Sequence, residues 1–145
     1  EGFILRSGGA QGADTAFEEG VVNKANMEIY IPWKGFADKF SGDLGVILAT
    51  DLPNWEEAQD KVYDIHPAPE RLSMGAIALH GRNMYQVLGK DLNTPSKFVV
   101  FWSPPTKDGV KGGTNSAYQL AKNNGIETFN LFEEEVQERF LKWLS

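Results

Sequence analysis

Ser7-Gly8-Gly9-Ala10-Gln11-Gly12-Ala13-Asp14 and Gly112-Gly113-Thr114-Asn115-Ser116 are the two stretches best suited to chemistry in this sequence. Each follows an apolar run of strand character and opens a run of helical periodicity. Glycines at such a junction let the main chain approach a ligand, and the first N–H groups of the new helix favour an anion, usually a phosphate. Arg6 and Ser7 lead into the first turn, which Gly8, Gly9 and Gly12 shape; Gly112, Gly113 and Thr114 form the second. No Lys-Ser/Thr follows the first glycines, so this is not an ATPase P-loop. Thr114 and Ser116 can add hydroxyl hydrogen bonds to a phosphate or simply cap their helix.

Asp14 has two readings. It can brace the glycine loop and interact with the helix dipole. It can instead grip ribose hydroxyls or serve as the catalytic carboxylate in glycosidic cleavage. A carboxylate repels a neighbouring phosphate, so ribose is the target it suits. Arg82 offers a guanidinium fork for a phosphate, with His80, Asn83 and Gln86 nearby. His80 and Asn83 share a helix face, as do Arg82 and Gln86; a solvated polar face is the other account of this cluster. His66 and His80 are the only histidines and cysteine is absent, so neither a metal site nor a cofactor is expected. Trp33, Tyr85 and Trp102 can stack on a base or belong to the core.

Strands and helices must position these groups. Phe3–Leu5 reads as a short strand into the first turn, and Ala13, Ala16, Phe17 and Val21 recur at helical spacing. Glu28-Ile29-Tyr30-Ile31 reads as a strand ended by Pro32-Trp33, completing a strand–helix–strand unit of a parallel sheet. From Gly35 to Pro53 a loop or lid is expected, with Val46-Ile47-Leu48 as a short strand. Asn54 is placed to cap a helix over Trp55–Ile65, and a second helix is expected from Ser73 to Leu88, stopped by Gly89. Phe98-Val99-Val100-Phe101-Trp102 is a continuous apolar strand suited to burial on both faces. A helix around Ala117, Leu120 and Ala121, a strand over Ile126–Leu131 and a final amphipathic helix complete the pattern. The alternation predicts an α/β fold: a Rossmann-like three-layer α/β/α sandwich with a mostly parallel sheet. Both glycine turns, Pro32-Trp33 and Ser103-Pro104 then share the carboxyl edge, where such folds bind ligands.

At 145 residues, with 41% hydrophobic and 23% charged residues, one domain with a real core is expected. The net charge of −6 argues against broad nucleic-acid binding. No apolar run is long enough to span a membrane and no secretory signal is visible, so the default expectation is cytoplasmic. The sequence starts almost inside a strand without an initiating methionine, and an upstream extension is expected.

Ser7-Gly8-Gly9-Ala10-Gln11-Gly12-Ala13-Asp14 is similar to the SGGA-x-G-x-D turn of DNA-processing protein A. Together with Gly112-Gly113-Thr114 it resembles the wider SLOG superfamily, which includes Lonely Guy phosphoribohydrolases, YpsA-like proteins and nucleotide-sensing domains of bacterial defence systems. Leu79-His80-Gly81-Arg82-Asn83-Met84-Tyr85-Gln86-Val87-Leu88-Gly89 looks like small YpsA-related proteins of phages, which would place the chain in a host cytoplasm. With His66-Pro67 and Pro95-Ser96-x-Phe98, the resemblance spans nearly the whole chain. It implies a nucleotide ligand, a homodimer paired through helices, and a first strand and glycine turn missing ahead of Phe3. It also exposes a departure. Lonely Guy enzymes carry PGG-x-GT-x-x-E, whose glutamate serves N-glycosidic cleavage, and Asn115, Ser116 and Ala117 supply no carboxylate here. Three functions therefore stand open: a nucleotide N-glycosidase using Asp14, a non-catalytic sensor or sequestering protein, and a nucleic-acid or assembly protein on an inert scaffold.

Overall fold

The computed structural model describes residues 3–144. Its strands are β1 (Leu5–Ser7), β2 (Met27–Ile31), β3 (Val46–Leu48), β4 (Phe98–Phe101) and β5 (Glu127–Asn130). Its α-helices are α1 (Ala13–Glu19), α2 (Trp55–Ile65), α3 (Met74–Leu88), α4 (Thr114–Asn123) and α5 (Glu134–Leu144). The chain is mixed α/β, with all strand pairs parallel: β1–β2–β3 form one sheet and β4–β5 another. The single mostly parallel sheet expected from the alternation is thus divided among the described residues. β1 and β4 are not hydrogen-bonded to each other.

α3 packs against β1 and β2 of the first sheet and against α2 and α4, while β4 and β5 rest on α4 and α5. Ser73 starts α3 by accepting a hydrogen bond from Ala76 N at 3.1 Å, and Gly89, at φ +82°, ends it with its N–H on Tyr85 O. That positive φ is the conformation that favours glycine at a helix stop. Its second half is buried almost all round, from Gly81 to Leu88 apart from Gln86. A helix enclosed on every side cannot show a simple amphipathic stripe. Gly81 is required by packing: a Cβ there would lie 2.6 Å from Trp55 Cη2 of α2.

The main core gathers Tyr30 of β2, Val62 of α2, Met84, Tyr85 and Leu88 of α3, and Leu120 of α4. Tyr30 and Tyr85 stack at 5.4 Å between centroids, with Trp55 stacked beyond Tyr85 at 6.4 Å. Each ring keeps its hydroxyl partnered: Tyr30 on Glu28 at 2.5 Å and Tyr85 on Asn54 Oδ1 at 2.8 Å, as buried phenols require. Burial pushes the Tyr85 hydroxyl up to about 12 and Tyr30 higher still, the Glu28 carboxylate adding to the latter. Asn54 holds the expected N-cap position of α2, yet its side chain makes no cap bond. It serves Tyr85 and, through Nδ2, Lys90 O at 3.0 Å.

Arg6 joins the two halves at the amino ends of the strands. Its Nη1 donates to Thr94 O at 2.7 Å and Ser96 Oγ at 3.0 Å, and its Nε lies 3.5 Å from Glu28. Ser96 Oγ donates in turn to Gln86 O of α3 at 2.7 Å.

Candidate functional site

Parallel pairing puts the glycine turn after β1, Pro32-Trp33 after β2 and Ser103-Pro104 after β4 at the carboxyl ends of their strands. A cavity of about 760 Å³ runs between β1 and β4 toward that edge. It extends from Phe3 and Lys97 at one end to Ala10, Asp14, Trp102, Gly113 and Thr114 at the other.

The first turn is held from behind. Ser7 Oγ accepts from Gly9 N at 3.2 Å and donates to Glu18 Oε2 at 2.5 Å. Glu18 is itself buried, with Lys39 Nζ 3.8 Å from its other oxygen, and Lys39 also donates to Gly9 O at 3.0 Å. Gly9 has φ +70°, and a Cβ there would press on Ile29 and Lys39. Gly8 is tight for a different reason: its Cβ would fall 2.5 Å from Arg82 Nη1. Gly12, at φ +93°, has nothing within 4 Å of its would-be Cβ. Asp14 lines the cavity and uses Oδ2 to accept from Ala10 N at 3.1 Å, so the loop-bracing role is present. Its Oδ1 takes no hydrogen bond among the described residues.

The second turn is held from α3. Asn83 Nδ2 donates to Gly113 O at 3.0 Å and to Ser116 Oγ at 3.1 Å. Ser116 Oγ also donates to Gly113 O at 3.0 Å and lies 2.9 Å from His80 Nδ1. Gly112, at φ +76°, and Gly113 both have open space where a Cβ would stand. The N–H groups of Gly113 and Thr114 find no protein partner among the described residues. Thr114 lines the cavity and does not cap α4. These free N–H groups carry the positive end of α4.

Arg82 stands between the two turns. It is only 6% exposed. Its Nη1 donates to Gly8 O and, at 3.5 Å, to Tyr30 O, while Nε donates to Leu79 O at 3.2 Å. None of the ion pairs among the described residues includes it, and Nη2 has no protein partner among them. Burial pulls its guanidinium down to about 10, against the opposing attraction of Asp14. At neutral pH it is a cation facing a cavity without a carboxylate in salt-bridge contact. Buried charge of that kind is costly unless compensated, and it recurs at ligand sites.

The solvated polar face considered for Arg82 and Asn83 is therefore overturned, since both are buried and spend their donors on the glycine turns. Arg6 lines the cavity, but its guanidinium is engaged at the amino end of β1, away from the turns. Ser7 is committed to Gly9 and Glu18. Compared with known protein families, curated proteins and solved structures, the chain matches none. Among the described residues no group of three or more acidic, His or Cys side chains can hold a metal, and no helix is long and apolar enough to cross a membrane.

Glu18 and Lys39 are the site-supporting residues that sequence reading left aside, and Ser116, read as a phosphate donor or helix cap, instead binds Asn83, His80 and Gly113 O. Glu18 stands four residues after Asp14 on α1, the spacing that puts two side chains on one face. Its neighbour Glu19 is exposed, so the pair reads in sequence as surface charge. Lys39 comes from the Gly35–Pro53 stretch, where no periodicity indicates a contact with the first turn.

Proposed function

We propose that the carboxyl edge binds a nucleotide or nucleotide-derived ligand of the SLOG type and holds it intact. The observation that carries this reading is Arg82, a buried cation without a carboxylate contact, set between two glycine turns and lining the same cavity as Thr114. Phosphate oxygens would take the N–H groups of Gly113 and Thr114, with Arg82 Nη2 supplying charge. The open Cβ positions of Gly12, Gly112 and Gly113 leave room for close approach. Asp14 Oδ1 would accept from ribose hydroxyls. Trp102, 56% exposed and braced edge-on by Phe132 at 5.2 Å, offers a face for the base. The same reading takes the two sheets as halves of a Rossmann-like α/β/α sandwich.

Hydrolysis of the N-glycosidic bond is the second reading, and Asp14 is the group that favours it. It is the only carboxylate lining the cavity among the described residues, whereas glycoside cleavage commonly uses a pair. One experiment separates the two. The protein is incubated with a panel of nucleotides and dinucleotides, with thermal shift and mass spectrometry as readouts, beside Asp14→Asn. Asn keeps an acceptor for Ala10 N and removes the charge. Stabilisation with intact nucleotide supports the binder. Release of free base, lost in Asp14→Asn, replaces it with the hydrolase. No shift with any nucleotide rejects both.

A further inference from the structure

Gly113 O and Thr114 N belong to the same peptide group, and that group ends a chain of hydrogen bonds reaching back to α3. Thr114 N–H has no protein partner among the described residues and is the donor that the nucleotide reading gives to phosphate. The carbonyl side of the group is held from behind. Gly113 O accepts from Asn83 Nδ2 at 3.0 Å and from Ser116 Oγ at 3.0 Å, and Ser116 Oγ lies 2.9 Å from His80 Nδ1. A hydroxyl has a single proton to give. Ser116 gives it to Gly113 O and accepts from Asn83 Nδ2 at 3.1 Å, so His80 Nδ1 is the donor in its own contact. The lone pair of the neutral ring is then on Nε2.

A proton taken up at Nε2 adds a charge without breaking any bond of this chain. It makes Nδ1–H a stronger donor, and hydrogen bonds in series polarise one another. The effect runs from His80 through Ser116 to Gly113 O and emerges as a more positive Thr114 N–H. Ser116 is only 4% exposed, so little water screens the link. α4 faces His80 with the neutral Ser116, and the charges that act on the ring come from His66, just past α2, and Arg82, on its own helix. The His66 ring stands 5.2 Å away between centroids, with its Nδ1 occupied by Ala68 N at 3.1 Å. Both residues disfavour a proton on His80. A phosphate beside Arg82 would offset the second of them.

We infer that His80 is a proton-linked regulator of the second glycine turn: an anion held by Thr114 N–H and Arg82 draws a proton onto His80 Nε2, and a protonated His80 in return tightens the hold on that anion. The inference rests on the nucleotide reading for the identity of the anion. The bound protein takes up the proton at a higher pH than the free protein. Affinity therefore rises as pH falls between the two midpoints and is level on either side.

The test is an NMR titration of the imidazole Cε1–H resonances against pH, on the full chain with and without saturating AMP, GMP, CMP, UMP or NAD. His66 and His80 are the only histidines, and the spectrum of His66→Gln assigns their signals. The His80 midpoint should rise by about half a pH unit or more with nucleotide, equivalent to about threefold in affinity. Calorimetry at about pH 7.5 and about pH 5.5 should find that gain in the ratio of the wild type to His80→Asn, which keeps an amide donor where Nδ1 stands. A nucleotide phosphate itself ionises at about pH 6, but this is common to both proteins and cancels in the ratio. Ser116→Ala, which cuts the chain, should reduce the midpoint rise by about half or more. Bound nucleotide with an unmoved His80 midpoint overturns the inference and leaves the nucleotide reading standing. So does a rise undiminished in a folded Ser116→Ala. Binding of none of the nucleotides at either pH overturns both. If the variants do not fold, the wild-type midpoint decides alone.

Discussion

Arg82 and Asn83, consecutive on α3, each hold one glycine turn by a carbonyl: Arg82 donates to Gly8 O and Asn83 to Gly113 O. Neighbours on a helix point about 100° apart, so one helical step reaches both sides of the cavity. The separation of the turns is set by α3. Whatever binds between them meets a preorganised gap, which lowers the ordering cost of binding.

Asn83→Ala should loosen the second turn alone. It removes two hydrogen bonds and leaves Gly113 O with Ser116 as its remaining side-chain donor. The expected cost is about 1–3 kcal/mol, measured by urea unfolding. Amide exchange should accelerate at Gly113–Ser116 and stay unchanged at Gly8–Gly12. Equal acceleration at both turns would contradict separate anchoring.

Gly8→Ala and Gly113→Ala should behave in opposite ways. The first sets a Cβ 2.5 Å from Arg82 Nη1, and the second meets nothing within 4 Å. Gly8→Ala should therefore destabilise by about 1–3 kcal/mol, as overpacking does. Gly113→Ala should leave the melting temperature within a few degrees and, on the proposed reading, weaken nucleotide binding, because its methyl group would stand in the open space assigned to phosphate. Unchanged affinity in a stable Gly113→Ala would remove the phosphate from that turn.

Trp102→Ala should lower nucleotide affinity by about tenfold or more, the loss of one base stack being worth about 1–3 kcal/mol. Stability should change little because the ring is more than half exposed. Isothermal titration against purine and pyrimidine nucleotides checks this. A loss equal for inorganic phosphate and nucleotide would show that Trp102 does not meet a base.

Stability should fall on acidification below pH 6.5. Burial, then the charges of His66 and Arg82, holds His80 below its ordinary value of 6.5. The unfolded chain therefore takes up this proton at a higher pH than the folded one. The contribution is fully present above 6.5 and is lost as pH falls through the folded value. Urea midpoints at about pH 7.5 and about pH 5 should show the decline, and His80→Gln should shrink the difference. A difference of unchanged size in that variant would assign the acid sensitivity to other groups.

Much of the framework was legible because local chemistry decides it. The alternation of strand and helix, the stop at Gly89 and the left-handed Gly9, Gly12 and Gly112 all follow from nearby residues. β4 ends at Phe101, one residue before the end of its apolar run, and Trp102 beyond it packs edge-on against Phe132. What was not legible depends on partners far along the chain. Arg82 looks like a phosphate ligand in sequence, and only the contact with Gly8, 74 positions away, reveals its anchoring role. Nothing local distinguishes the buried Glu18 from the exposed Glu19. The gap between β1 and β4 is a relation between strands about ninety residues apart, beyond the reach of any periodicity.

Those long separations also order events in time. Arg6 is secured by Thr94 and Ser96, 88 and 90 positions later, and Gly8 by Arg82. During synthesis at about 5–20 residues per second, the first glycine turn waits on the order of four to fifteen seconds before Arg82 is even polymerised. β1, which pairs with β2 some twenty residues on, is thus not fully moored until α3 and the Thr94–Ser96 segment have followed it.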